Sequence, residues 1–274
     1  MAISSVSLSA SARNNLLALQ NTASLLSTTQ NALATGKKVN NAIDNATAFF
    51  ASQGFLNRAN DLSNLKDSLS TGLQTVTSVG QSITDIQNLV TELQGLTTSA
   101  LQTTDTTSRA GLASQFNSLR TQLDLLVNDA TFNGTNLLSS TGNTLIVFFN
   151  ETNTTALTIT GVNITSAGLT INAASGGWAT TNEINTSSSL LLTALTTLRT
   201  DASTFGTNAT LIQTRQDFTT NLINTLETAS NNLVLADTNE EGANLQALQA
   251  QNQLGIVSLG ISGQLAQAVL RLFP

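Results

Sequence analysis

Residues 62–93 read LSNLKDSLSTGLQTVTSVGQSITDIQNLVTEL. Through this stretch Leu62, Leu65, Leu69, Gly72, Val76, Val79, Ile83, Ile86, Val90 and Leu93 recur every three or four positions, separated mainly by Ser, Thr, Gln, Asn and a few charges. That period lines one side of an α-helix with apolar groups, and such a stripe needs a second element to cover it. The spacing predicts a long rod helix with one weak position, Gly72, where the helix gains no side chain and loses backbone entropy.

Similar stripes lie on both sides of it. Upstream, Ala12, Leu16, Leu19, Ala23, Leu26, Gln30 and Leu33 form the seam of a helix that pairs with another helix, interrupted by Gly36. Downstream, a Thr/Ser-rich connection over 103–108 leads to Leu112, Phe116, Leu119, Leu123, Leu126 and Ala130, the seam of an antiparallel neighbour of the rod. Phe132-Asn133-Gly134 then supplies turn chemistry, because Asn and Gly tolerate positive φ.

From 145 to 171 the period falls to two. Leu157/Ile159, Val162/Ile164 and Leu169/Ile171 alternate with Thr and Asn, the pattern of short half-buried strands. Helical spacing resumes after Ser187-Ser188-Ser189: Leu191, Leu198, Phe205, Ile212, Thr219, Leu226 and Leu233 fall one heptad apart, with Leu195, Ala202, Ala209 and Ile223 at the second seam position. Thr238-x-x-Glu241 matches a capping box at the head of a last helix, whose main stripe is Val257, Ile261, Leu265, Ala268 and Leu272. The expected fold is mainly α: an elongated antiparallel helical bundle or coiled coil built from the N- and C-terminal segments, around a small β-rich central insert. The expected division is terminal helices at 1–40 and 240–274, a helical rod at 41–136 and 187–239, and the insert at 137–186.

Composition narrows the function. Among the 274 residues there is no Cys and no His, which removes disulfides, thiolate nucleophiles, imidazole bases and the commonest transition-metal ligands. No cofactor, metal or catalytic residue is expected, and adjacent acids such as Glu240-Glu241 read as helix-start charges. A net charge of −6, with no basic cluster longer than Lys37-Lys38 and no Tyr, argues against nucleic acid as a partner. The start, Met1-Ala2-Ile3-Ser4-Ser5, has neither the basic region nor the apolar run of a signal peptide, and no later stretch is apolar enough for membrane insertion. Seven N-x-S/T patterns, at Asn45, Asn133, Asn150, Asn153, Asn163, Asn185 and Asn208, are what an Asn- and Thr-rich chain generates by chance.

The distribution of charge says most. Residues 1–36 contain only Arg13 as a charged side chain, and residues 242–274 only Arg271, although both stretches are helical and apolar on at least one face. In the last helix Leu254, Ile256 and Leu259 lie off the main stripe, so apolar contact extends around much of the circumference. Burial of about five such side chains would contribute on the order of 1.5–3 kcal/mol each before entropy costs. The two ends could pair within one chain, but two helices alone cannot cover apolar surface on several sides of each, which favours pairing across subunits. The candidate self-assembly residues are Leu16, Leu19, Leu26, Leu33, Val257, Ile261, Leu265 and Leu272. Lys37, Lys38 and Asp44 are candidates for the junction between terminal helices and rod, as an ion pair, a solvated loop or a cap.

At both ends, roughly 1–140 and 187–274, the chain resembles bacterial flagellin, the subunit of the flagellar filament. The resemblance is carried by Leu33-Ala34-Thr35-Gly36-Lys37-Lys38-Val39-Asn40-Asn41-Ala42-Ile43-Asp44, by Thr131-Phe132-Asn133-Gly134, and by the Gln/Ala/Leu-rich tail from Ala250-Gln251 to Leu270-Arg271-Leu272-Phe273. It implies a secreted, non-enzymatic subunit of the extracellular bacterial flagellum that polymerises for swimming motility. Terminal helices would lie innermost, the rod around them and the insert outward. It also implies export unfolded without a cleaved signal. Implied partners are copies of itself, a secretion chaperone, a filament cap and hook-junction proteins. Two alternatives share the layout: a hook-filament junction protein, and a coiled-coil binding module that forms a finite complex. Only a contact that fails to close on itself gives an open filament.

Overall fold

The computed structural model describes residues 10–272, the side chains at 266 and 269–272 excepted. Its helices are α1 (Ala10–Thr35), α2 (Ala46–Gln102), α3 (Thr106–Asp129), α4 (Thr181–Val234) and α5 (Thr238–Leu272). A hairpin of β1 (Thr144–Phe148) and β2 (Ala156–Thr160) and a short 3-10 turn, Ser175–Trp178, stand between α3 and α4. The chain is thus mainly α with a small two-stranded sheet in the middle. It divides into two compact units, one of residues 59–224 and one of residues up to 58 together with those from 225 on.

In the 59–224 unit the α2 stripe behaves as its period requires: Leu69, Ile83, Ile86, Val90 and Leu93 have no solvent-accessible surface, and Leu62, Leu65, Val76 and Val79 are buried. Gly72 has a positive role. A Cβ there would meet Val147 Cγ2 at 2.9 Å, so the missing side chain lets β1 lie directly on the helix. The hairpin pairs antiparallel with Val147 opposite Leu157 and Leu145 opposite Ile159, which puts Val147 and Ile159 on the buried face and Ile146 and Thr158 on the exposed one.

The α3 seam is shifted from the expected one. Arg109, Ala113, Phe116, Leu123 and Val127 are the buried residues, whereas Leu112, Leu119, Leu126 and Ala130 are only half-buried. Two arginines conceal that register from a reading of apolar periodicity. Buried Arg109 donates through Nε to the carbonyls of Ala100 (3.2 Å) and Thr103 (2.8 Å), and through its terminal nitrogens to Ala179 O (3.4 Å) and Thr181 Oγ1 (3.3 Å). Carbonyls at and just after the end of α2, which no further turn can satisfy, thereby gain a cationic donor. One turn pattern on, Asn117, Arg120 and Asp124 hold the insert: Ala174 N donates to Asn117 Oδ1 at 2.8 Å, Arg120 Nε to Ile171 O at 2.7 Å, and Ser166 N and Oγ to the Asp124 carboxylate at 2.6 and 2.7 Å.

Of the three expected strand pairs only that around Leu157/Ile159 is a strand. Val162/Ile164 and Leu169/Ile171 lie in irregular chain whose amides reach Leu137 O, Leu138 O and turn carbonyls instead of a ladder, while Ile164, Leu169 and Ile171 are still buried. Alternation reported burial here, not pairing. The Asn-Gly turn is as read: Asn133 (φ 48°) and Gly134 (φ 77°) are the two positive-φ centres, closed by reciprocal Phe132–Thr135 backbone bonds of 3.0 and 2.9 Å.

The returning helix α4 starts at Thr181, ahead of the Ser187–Ser189 boundary, because Thr180 and Glu183 form a capping box: Glu183 N donates to Thr180 Oγ1 (3.4 Å) and Thr180 N to Glu183 Oε2 (2.9 Å). Its first turns carry Ser187, whose hydroxyl accepts from Trp178 Nε1 at 3.2 Å. Trp178 stands edge-on to Phe116 with centroids 5.0 Å apart. Leu191, Leu198, Phe205, Ile212, Thr219 and Leu226 are all buried, as their heptad spacing predicts.

In the other unit the first turns of α2 and the last of α4 meet at Ser52 and Ser230, both buried with hydroxyls 2.7 Å apart. The remainder of this unit is α1, α5 and the two connectors between them and the longer helices.

Candidate assembly surfaces at the chain ends

Helices α1 and α5 pack antiparallel. Asn15 Nδ2 donates to Ser258 Oγ (3.1 Å) and Ser262 Oγ (3.4 Å), and a Cβ on Gly255 would sit 3.0 Å from Leu19 Cδ1, so the helices approach most closely where glycine leaves room. On α1 the covered stripe is Ala12, Asn15, Leu19, Thr22, Leu26, Thr29 and Leu33. Ala23 and Gln30, placed in the seam on sequence, are exposed, and Thr22 and Thr29 take their places. An apolar count passes over threonine there because its hydroxyl hides its methyl group.

On α5 the covered positions are Glu241, Leu245, Leu248, Asn252, Gly255, Leu259 and Ser262 at alternating four- and three-residue steps. Leu259, read as lying off the main stripe, belongs to this intrachain seam. The stripe that sequence ranked first faces the other way: Val257, Ile261 and Leu265 keep 59, 54 and 63% of their surface, and Leu254 and Ile256 are exposed beside them. On α1, Leu17 and Leu25 are exposed in the same manner. The candidate residues therefore fall into two sets. Leu16, Leu19, Leu26 and Leu33 are half-buried on or beside the stripe that α5 covers, whereas Val257, Ile261 and Leu265 are left exposed by the described residues. Leu272 lies outside the described side chains.

The connectors form a compact joint. Gly36, at φ 68°, ends α1 in the left-handed conformation glycine adopts at little cost. Its carbonyl accepts from Ala236 N at 3.0 Å, Val234 O accepts from Lys38 N and Val39 N at 2.8 and 3.3 Å, and Lys37 bridges Leu235 in antiparallel fashion. Asp44 does not reach either lysine: its Oδ2 takes the amides of Asn40 (2.8 Å) and Asn41 (3.1 Å). The cap of α2 is Asn45, whose Oδ1 accepts from Ala48 N at 3.0 Å. The cap of α5 is Asp237, one residue ahead of the expected Thr238: its Oδ1 accepts from Asn239 N (2.9 Å) and Glu240 N (3.3 Å), and its carbonyl accepts the first helical bond from Glu241 N. Aspartate is an acceptor at least as good as threonine at that position, and its charge faces the positive end of the helix.

Among the described residues there is no group of three or more His, Cys, Asp or Glu side chains able to hold a metal ion, and no helix long and apolar enough to cross a membrane. What the ends offer is exposed apolar helix surface.

Comparison with known proteins identifies the family. Residues 3–143 match the bacterial flagellin N-terminal helical region and residues 189–273 the bacterial flagellin C-terminal helical region. Two Caulobacter vibrioides proteins, flagellin FljM (31% identical over 274 residues) and flagellin FljO (32% over 277), align over the whole of this chain and the whole of their own. The flagellin of Brucella melitensis is 27% identical over 283 residues, covering 99% of each chain. With both terminal regions matched and full-length relatives above 30% identity, the chain belongs to the bacterial flagellin family, structural proteins that self-polymerise into the extracellular flagellar filament.

Proposed function

We propose that this filament subunit grows its polymer through the outward faces of its end pair, with Val257, Ile261 and Leu265 as the principal contacts and the Leu19, Leu26 and Leu33 seam, flanked by Leu16, holding α1 and α5 together as one assembly element. The observation that carries this is the exposed α5 stripe: five large apolar side chains between Leu254 and Leu265, more than half exposed, in a segment without a charge. A chain that kept such a face in water would aggregate, so a partner surface has to cover it. Residues 1–40 with 240–274 would then line the inside of the filament, 41–136 with 187–239 would form the rod around them, and 137–186 would face outward. Lys37, Lys38 and Asp44 would mark the joint between inner and outer parts.

Export through a flagellar secretion channel, a chaperone for the C-terminal helix, a cap at the growing tip and hook-junction proteins at the base complete this reading. It is supported by the family and by the absence of cysteine, since no disulfide can lock a chain that travels unfolded. The role is structural and not enzymatic. Electron microscopy of purified chain after addition of filament seeds, beside a variant lacking 242–274, tests it. Long uniform filaments from the full chain and none from the variant are expected. Discrete particles from both would favour a junction protein or a finite complex.

A further inference from the structure

The loop between α1 and α2 presents Ile43 in an unusual way. Its side chain is 96% exposed, the most exposed of the large apolar residues among those described, and it lies outside both stripes of the end pair. A lone exposed isoleucine on a mobile loop would mean little. Here the loop is held on every side. Asp44 Oδ2 fixes the amides of Asn40 and Asn41, and Asn41 Oδ1 takes the amides of Ile43 (2.9 Å) and Asp44 (3.3 Å). Asn40 Nδ2 donates to Lys37 O at 3.1 Å, and Lys38 and Val39 are bonded to Val234 O. Val39 is buried, so the loop has a root, and Ile43 is not needed to supply one. The backbone that carries the side chain is thus fixed before any partner arrives, and a residue whose backbone ordering cost has already been met by the fold gives more of its burial energy to a partner.

We propose that Ile43 is a contact knob that inserts into an adjacent copy of this chain in the filament. This rests on the filament reading, which supplies neighbouring copies, and adds a contact that the α5 stripe does not include. Charge selects the same occupant. Lys37 and Lys38, on the same loop, are exposed and make no ion pair among the described residues, and neither do Glu240 and Glu241 at the start of α5. A second copy offers Glu240 at an exposed position to the basic loop, while its exposed apolar groups on α1 and α5 receive the isoleucine.

The absence of native cysteine makes the test direct. A photo-crosslinking residue at position 43 is expected to give covalent dimers in seeded filaments and none in dilute monomer. Ile43→Ser is expected to keep the parent's thermal midpoint and helix content while raising the critical concentration for polymerisation about tenfold, with Ile43→Leu restoring it. Filaments of the crosslinking variant that yield no dimer, or a serine variant that polymerises at the parent's critical concentration, would overturn the knob and leave the filament reading standing. Failure of the parent chain itself to polymerise on seeds would overturn both.

Discussion

The stripe Ile83, Ile86, Val90 and Leu93 on α2 has no solvent-accessible surface, whereas Val257, Ile261 and Leu265 on α5, also at helical spacing in steps of four residues, each keep more than half of theirs. Periodicity is common to both, so periodicity alone says only that a helix has a face to cover. What separates them is the rest of the helix. Around the α2 stripe stand Lys66, Asp67, Asp85 and Glu92, which fix the opposite side in water. Around the α5 stripe nothing is charged, and a second set of positions, Leu245, Leu248, Gly255 and Leu259, already serves the intrachain partner. Two faces on one helix that carries no charge between 242 and 270 mean two partners, of which the described chain supplies one.

The largest effect that could break this comparison is on stability. Ile86→Ala in the rod removes a fully buried side chain and is expected to cost about 2–5 kcal/mol, read as a lower midpoint in denaturant with an unchanged slope. Ile261→Ala in the same assay on the unassembled chain is expected to stay within about 0.5 kcal/mol of the parent, as surface substitutions do. Equal losses would mean that the α5 stripe is covered within the chain after all.

A smaller effect sharpens the picture of how the 59–224 unit is held at its turns. Hydrogen bonds from the Ser108 hydroxyl, and then from the Ser108 amide, hold the Asp105 carboxyl below its ordinary 3.8. A group with a lowered folded pKa stabilises fully above its unfolded value and loses that contribution as pH falls through the folded one. The stability difference between the parent and Asp105→Ala should therefore be constant near neutrality and shrink below about pH 3.8. A difference that persists undiminished in acid would show that the cap does not act through the carboxylate.

The two long seams and the Asn-Gly turn were legible in the sequence because each rests on one strong signal: Leu62 to Leu93, Leu191 to Leu226, and the pair Asn133-Gly134. Legibility failed where polar residues do core work. Arg109 sits at a seam position of α3 and solvates carbonyls at the end of α2, and a count of apolar residues moves the seam one step to Leu112 and Leu119. Thr22 and Thr29 displace Ala23 and Gln30 for the same reason. The box Thr180-x-x-Glu183 could have been found, since it has the same pattern as the Thr238-x-x-Glu241 match that the structure replaces with Asp237. At the proposed assembly surface the charge-poor ends and the apolar residues Val257, Ile261 and Leu265 were readable as apolar helix surface. That they face away from α1, while Leu259 faces toward it, was not, because both stripes obey the helical period and only the position of Leu19 over Gly255 and the Asn15–Ser258 bond choose between them. Ile43 left no periodic trace, being a single residue whose meaning comes from the bonds that fix its loop.

The central claim is that the outward α5 stripe holds the polymer and not the monomer. Its most direct test is seeded polymerisation, followed by sedimentation and electron microscopy, of a chain carrying Val257→Ser, Ile261→Ser and Leu265→Ser together. The account predicts a variant whose helix content and thermal midpoint in dilute solution match the parent's but which stays in the supernatant and extends no seed. Filaments of parental length and yield from this variant would contradict it.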